Sequence, residues 1–275
     1  MPKVALTDAD NHGGKVIRNK ETREIMSEWP VDVKPLIDFD KKMGLIWSAK
    51  SACSLSVLWF FAVTGRLREA LAHDKWPHVY RGEVFNHLQF TQARDNRLTS
   101  AQTRWVRVMR DPFKRAVSSY RHFLLHDIER EQGTAFFGAP VEERGLSFDE
   151  FLTYLETRDI NLCDIHLRQQ WTAVEEFCLQ PTIINADTSD VEQKLFSIFK
   201  ADEENIQLFI ECRDWIFPFH NAKVEKIPDV NSSTVIKKGQ VIEKWPGFLA
   251  FENTRTREMV RKIYDEDYRR FNSFI

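Results

Sequence analysis

The feature that most constrains this chain is a strand that runs straight into a helix. Trp105-Val106-Arg107-Val108-Met109 has the pattern of a buried strand, and Arg110-Asp111-Pro112-Phe113-Lys114-Arg115-Ala116-Val117-Ser118-Ser119-Tyr120 follows without a spacer. Asp111 is suited to cap free backbone N–H groups and Pro112 to the first helical position, so a helix to about His126 starts at once. An arginine at the strand's end, with Arg115 and Ser118 about a turn apart on the helix, makes an anion site. Guanidinium, hydroxyl and helix N-terminus all favour a phosphate. The plainer alternative is that Arg110 and Asp111 only cap and pair.

A second unit of the same kind lies upstream. Gly44-Leu45-Ile46-Trp47 reads as a short strand and Ser48-Ala49-Lys50-Ser51-Ala52-Cys53-Ser54 as a loop of small residues around one lysine. An apolar helix from Leu55 to Val63 follows, ended near Gly65. Small side chains let backbone N–H groups close on an anion while the lysine adds a point charge. The pattern G-x-x-x-x-G-K-[ST] is absent, and no apolar run ending in Asp offers a magnesium ligand. A surface lysine in a strand–helix turn is the alternative reading of this loop.

The remaining chain extends the alternation. Val79 to Phe90 is expected to hold a strand and turn, Gly133 to Gly145 a loop, and Ser147-Phe148-Asp149-Glu150 a capping box opening a helix through Leu155. Pro181 to Ile184 predicts a buried strand, with Thr188 or Ser189 capping a helix to Lys200. Residues 218–245 are loop-rich, and Arg255 to Phe271 is helical. The predicted fold is α/β, a central parallel sheet flanked by helices on both faces. Residues 1–40 read as a polar lead-in, broken by Pro30 and Pro35, that partly drapes over a single domain at 41–275.

Charge and cysteine usage narrow the partners. A formal net charge of -2 over 275 residues argues against nucleic-acid binding, which needs a sustained basic surface, so any anion site is local. Cys53, Cys163, Cys178 and Cys212 form no C-x-x-C pair, so free thiols and no structural metal are expected. Met1 to Asp8 lacks an apolar signal core, and no run approaches the roughly 18 apolar residues of a membrane span. A cytoplasmic protein without a membrane span is expected.

Together, Lys50-Ser51-Ala52-Cys53-Ser54 and Arg110-Asp111-Pro112-x-x-Arg115-x-x-Ser118-x-Tyr120 resemble the sulfotransferases that use 3′-phosphoadenosine 5′-phosphosulfate (PAPS). The resemblance implies the P-loop-type sulfotransferase fold and a metal-independent transfer of sulfate to a hydroxyl, releasing 3′-phosphoadenosine 5′-phosphate (PAP). It assigns Lys50, Ser51, Ala52, Cys53 and Ser54 to the 5′-phosphosulfate, and Arg110 and Ser118 to the 3′-phosphate. The commoner family pattern has Gly-Thr-Thr where Ala52-Cys53-Ser54 stands, and a cysteine cannot repeat a threonine hydroxyl's hydrogen bond. Lys237-Lys238-Gly239 resembles the basic-glycine loop that closes over the 3′-phosphate.

Other segments resemble the carbohydrate sulfotransferase branch and point to a glycan or glycolipid acceptor. Asp164-Ile165-His166-Leu167-Arg168-Gln169-Gln170 is similar to its D-x-H-W-x-P-Q segment, with Leu167 and Gln169 replacing Trp and Pro; His166 and Arg168 are candidates for acceptor binding. Pro228-Asp229-Val230-Asn231-Ser232-Ser233 resembles its proline–asparagine–serine loop, and Ile263 to Phe271 its closing helix. The resemblance spans about residues 43 to 272. Sulfuryl transfer needs a base for the acceptor proton. Gly82-Glu83-Val84-Phe85-Asn86-His87 resembles the segment G-H-V of uronyl 2-O-sulfotransferases, whose histidine falls on Glu83; His87 is the rival. A small-molecule kinase and a catalytically silent nucleotide- or glycan-binding protein are the alternative functions.

Overall fold

The computed structural model describes residues 20–29, 33–95, 98–126, 128–178, 180–220, 223–225, 229–240 and 244–272. Its main sheet has the order β1-β2-β3-β4, formed by Leu36–Asp38, Met43–Ile46, Arg104–Met109 and Thr182–Asn185. β2, β3 and β4 run parallel, as their helical crossovers require, while β1 turns back antiparallel on β2, so the sheet is mixed. Alternation divides the side chains. Leu45, Val106, Val108 and Ile184 face one apolar cluster, and Ile37, Ile46 and Trp105 face another. In the β2–β3 register Gly44 lies opposite Trp105, and a Cβ on Gly44 would come within 2.3 Å of the indole.

The chain before β2 is part of this core. Helix α1 (Thr22–Glu28) buries Ile25 and Met26 against Ile37, Ile46 and Trp105. Residues 1–19 and 30–32 lie outside the described residues. Few apolar residues suffice here because they share one face.

Helix α2 (Cys53–Val63) is buried nearly throughout, and Gly65, at φ 72°, ends its last turn. α3 (Leu67–His73) lies between it and the segment expected to be a strand, and α4 (Pro77–Tyr80) runs into that segment. Val79 to Phe90 is helical, not extended. α4 passes through a π turn at Arg81–Phe85 into α5 (Asn86–Asp95). Tyr80, Phe85 and Gln89 are buried at spacings of five and four, which a helix with one inserted residue satisfies. The aromatic and β-branched content only imitates a strand.

Helix α6 (Pro112–Leu125) begins as expected, with the Asp111 carboxylate accepting the Lys114 N–H at 2.9 Å. Gly133 to Gly145 is not a loop. α7 (Arg130–Phe137) and α8 (Val141–Arg144) occupy it, and Gly138 and Gly145, both at φ 77°, terminate these helices. α9 (Phe148–Glu156) carries the Ser147–Glu150 capping box. α10 (Val191–Ile198) starts after Asp190, without a side-chain cap from Thr188 or Ser189, and α11 (Glu203–His220) packs on α2. A small parallel pair, β5 (Lys223–Glu225) and β6 (Lys244–Pro246), precedes α12 (Thr254–Ile263) and α13 (Asp265–Asn272), which are separated at Tyr264. Among the described residues, no helix is long and apolar enough to cross a membrane.

Candidate active site

The parallel strands β2 and β3 deliver their two loops to the same edge of the sheet, where ligands bind in open α/β folds. After β2 the chain adopts the left-handed conformation at two non-glycine residues, Lys50 (φ 66°) and Ala52 (φ 54°). Left-handed residues at alternate positions turn successive backbone N–H groups to one side, and the N-terminus of α2 follows immediately. The Ser54 hydroxyl lies 3.1 Å from His78 Nε2, which ties α4 to this loop.

The second loop is bonded to the first. Arg110 Nη1 donates to the Lys50 carbonyl at 3.4 Å, and its Nε donates to Asp187 at 3.1 Å. Arg115 Nε donates to the Ala49 carbonyl at 3.0 Å. The tightest link is Gln170. Its Oε1 accepts from the Ser51 hydroxyl at 2.6 Å and from the Arg110 N–H at 2.9 Å, while its Nε2 donates to the Arg110 carbonyl at 2.9 Å.

The electrostatics of this edge favour an anion. Burial lowers the Lys50 ammonium to about 8; Cys53 opposes this, while the charges of Arg121, Arg110 and Arg115 act in the same direction as burial. Arg115 is also lowered by burial, and its Nη2 is a buried atom without a hydrogen-bond partner. Arg121 is lowered by burial too. Its Nε is buried without a partner, and its guanidinium lies 5.8 Å from the Trp245 ring centre. Cations gathered with unfilled donors are suited to phosphate and sulfonate oxygens.

The other expected residues are divided. Ser118 is half-buried on α6, next to Ser119, whose hydroxyl donates to the His166 carbonyl at 2.6 Å. Lys238 opens a short 3₁₀ turn, and its charge reaches His126. Gly239 is exposed beside it. His166 Nδ1 meets Asp164 Oδ1 at 2.7 Å, and Arg168 Nε donates to the Cys163 carbonyl. Glu83 is drawn into a different contact, 3.0 Å from His73 Nε2, with its side chain 67% exposed. His87 is exposed near Glu83, and the two line a groove with Val84, Leu88, Thr91 and Gln92. The contacts that join the Lys50 and Arg110 loops do not include either residue. Pro228 lies outside the described residues; Asn231 and Ser232 sit beside α9 and α12, where the Ser232 hydroxyl donates to Asp149 at 3.1 Å.

Sequence reasoning missed Arg121, His78, His122 and His126. His122 lies in the last turn of α6, and His126 caps the helix end four residues later. The His122 ring stacks between His126 and His166, with centroids 4.2 and 4.0 Å away. The one signal available was the spacing of Ser118, His122 and His126, which repeats every four residues along the helix of the anion site.

No curated protein and no solved structure gives a significant match to the chain. The profile of the sulfotransferase family, however, matches residues 40–274, from before β2 to the end of α13. The matched span contains both strand–loop–helix units and the helix that closes them, so the chain belongs to the sulfotransferase family and is a sulfotransferase enzyme.

Proposed function

We propose that this sulfotransferase moves the sulfuryl group of PAPS to a hydroxyl of a carbohydrate or glycolipid. The observation that carries the reading is the bonding of the Lys50 and Arg110 loops into one cationic edge, with Gln170 between them. PAPS supplies a sulfuryl group on a phosphate leaving group, with a second phosphate at the 3′ position. Lys50 and the backbone of Ser51, Ala52, Cys53 and Ser54 hold the reacting end. Arg110 and Ser118 hold the 3′-phosphate, and Lys238 and Gly239 close over it.

Lys50 carries the main chemical load. Its ammonium neutralises charge developing on the bridging oxygen as the bond to sulfur breaks, and partial burial strengthens that interaction. His166 and Arg168 lie on the acceptor side. Arg121 Nε, buried without a hydrogen-bond partner, is a further donor suited to the anion.

The test has two arms. PAP should raise the melting temperature, whereas ATP with magnesium should not; an equal response to both would favour a kinase. Purified protein should transfer label from ³⁵S-PAPS to members of a neutral and uronate-containing glycan panel, and Lys50→Ala should abolish that transfer. PAP binding without transfer to any acceptor would favour a silent nucleotide-binding protein.

A further inference from the structure

We propose that His166, oriented by Asp164 and stacked on His122, is the general base that takes the acceptor hydroxyl's proton. This deepens the sulfuryl-transfer reading and rests on it.

The Asp164–His166 contact decides which ring nitrogen is free. Burial alone would raise the Asp164 carboxyl, but hydrogen bonds from the His166 side chain and backbone outweigh it and hold the group below its ordinary range. A carboxylate only accepts, so the proton between the two groups sits on Nδ1, 2.7 Å from Oδ1. Nε2 is then the ring's acceptor. The His166 N–H also donates to Oδ1 at 2.9 Å, and the Asp164 N–H donates to Glu129 Oε1 at 2.7 Å, which holds the Asp164 backbone. A carboxylate placed on the far nitrogen orients an imidazole and stabilises the imidazolium once it forms.

The neighbourhood places this pair at the donor site. Ser119, next to Ser118, bonds the His166 carbonyl, and Gln170, four residues on, bonds Ser51 and Arg110. The histidine stack faces cations: burial lowers His126, and the charges of Lys50, His166, Lys238 and Arg121 lower it further. Arg168 acts on Asp164 from its own turn.

In the step itself, the acceptor oxygen forms a bond to sulfur as the bond from sulfur to the 5′-phosphate oxygen breaks. The bonding pair leaves on PAP, where Lys50 meets it. The hydroxyl proton moves to His166 Nε2, giving a sulfate ester, PAP and an imidazolium paired with Asp164.

The experiment compares wild type, His166→Asn, Asp164→Asn and Glu83→Gln with ³⁵S-PAPS, using the glycan panel and water as acceptors, with PAP affinity measured by calorimetry. His166→Asn can keep the bond to Asp164 but lacks the distal nitrogen. It should bind PAP within about threefold of wild type yet lose at least about 100-fold in transfer. Asp164→Asn should lose about tenfold or more, with the acid limb of its pH–rate profile moved to lower pH. Glu83→Gln should transfer at the wild-type rate. Wild-type transfer by His166→Asn, or loss confined to Glu83→Gln, overturns the assignment. Failure of wild type to bind PAP defeats the donor reading instead. Wild-type PAP binding with no transfer, even to water, defeats both the base and the enzyme reading of this site.

Discussion

The Asp267 carboxylate receives the Gln170 N–H on both of its oxygens, at 2.7 and 2.8 Å, and so ties the last helix to the residue that joins the two donor loops. It also accepts the Trp171 N–H at 2.9 Å. Burial raises the Asp267 carboxyl, opposed by Arg115, by these backbone hydrogen bonds and by Arg107. α13 thereby sets the position of Gln170, and Gln170 sets the register of Ser51 against Arg110.

Gln170→Ala removes three side-chain hydrogen bonds at a position 2% exposed. The expected loss is about 2–4 kcal/mol of stability, because the Ser51 hydroxyl and the Arg110 amide lose their partner. Denaturant unfolding measures the first effect. Calorimetric titration with PAP should show at least about tenfold weaker binding, and unchanged affinity would separate Gln170 from the donor site.

Lys50 makes donor binding and stability depend on pH in opposite ways. Its folded value, about 8, lies below the ordinary 10.5, so the folded protein releases this proton first. Between about pH 8 and 10.5 the unfolded chain holds more protons, and Lys50's contribution to stability rises with pH. Below pH 8 its charge costs the nucleotide-free fold on the order of 3 kcal/mol. Lys50→Met should therefore raise the melting temperature at pH 7, with the gain fading by about pH 10.5. PAP affinity of the wild type should fall above about pH 8 as the ammonium is lost, and the Met variant should lack that component.

Ala52 holds a left-handed conformation that glycine adopts freely. Ala52→Gly should stabilise the nucleotide-free protein by about 1 kcal/mol, the relieved backbone strain exceeding the added freedom of the unfolded chain. Differential scanning calorimetry decides it, and a lower melting temperature would show that the alanine methyl contributes packing instead.

Gly44→Ala tests the β2–β3 contact. The added methyl would meet the buried Trp105 ring at 2.3 Å, and the expected cost is about 3 kcal/mol from overpacking. Urea unfolding monitored by tryptophan fluorescence should show the lower midpoint, and Gly44→Ala combined with Trp105→Leu should recover part of it.

Both strand–loop–helix units were legible because their signals are local. Asp111-Pro112 opens α6 where expected, Gly65 ends α2, and the Ser147–Glu150 box caps α9. Val79 to Phe90 was misread because its burial follows a π turn, and a spacing of five has no sequence period of its own. Gly133 to Gly145 reads as a loop in sequence although Gly138 and Gly145 end helices there, since a single glycine signals a left-handed residue and not what precedes it.

The sequence by itself determined the alternation of strand and helix, the small-residue loop at Lys50 and the capped arginine segment at 110–118, because backbone propensity and capping act over a few residues. Only the tertiary structure decided that Gln170 lies between those loops, that the His122 ring meets His166, and that Glu83 turns to His73. Those contacts join positions far apart in the chain, brought together by strand order and by burial of shared apolar faces. A sequence pattern carries residue spacing along the chain, whereas hydrogen bonds and charge interactions depend on distance in space.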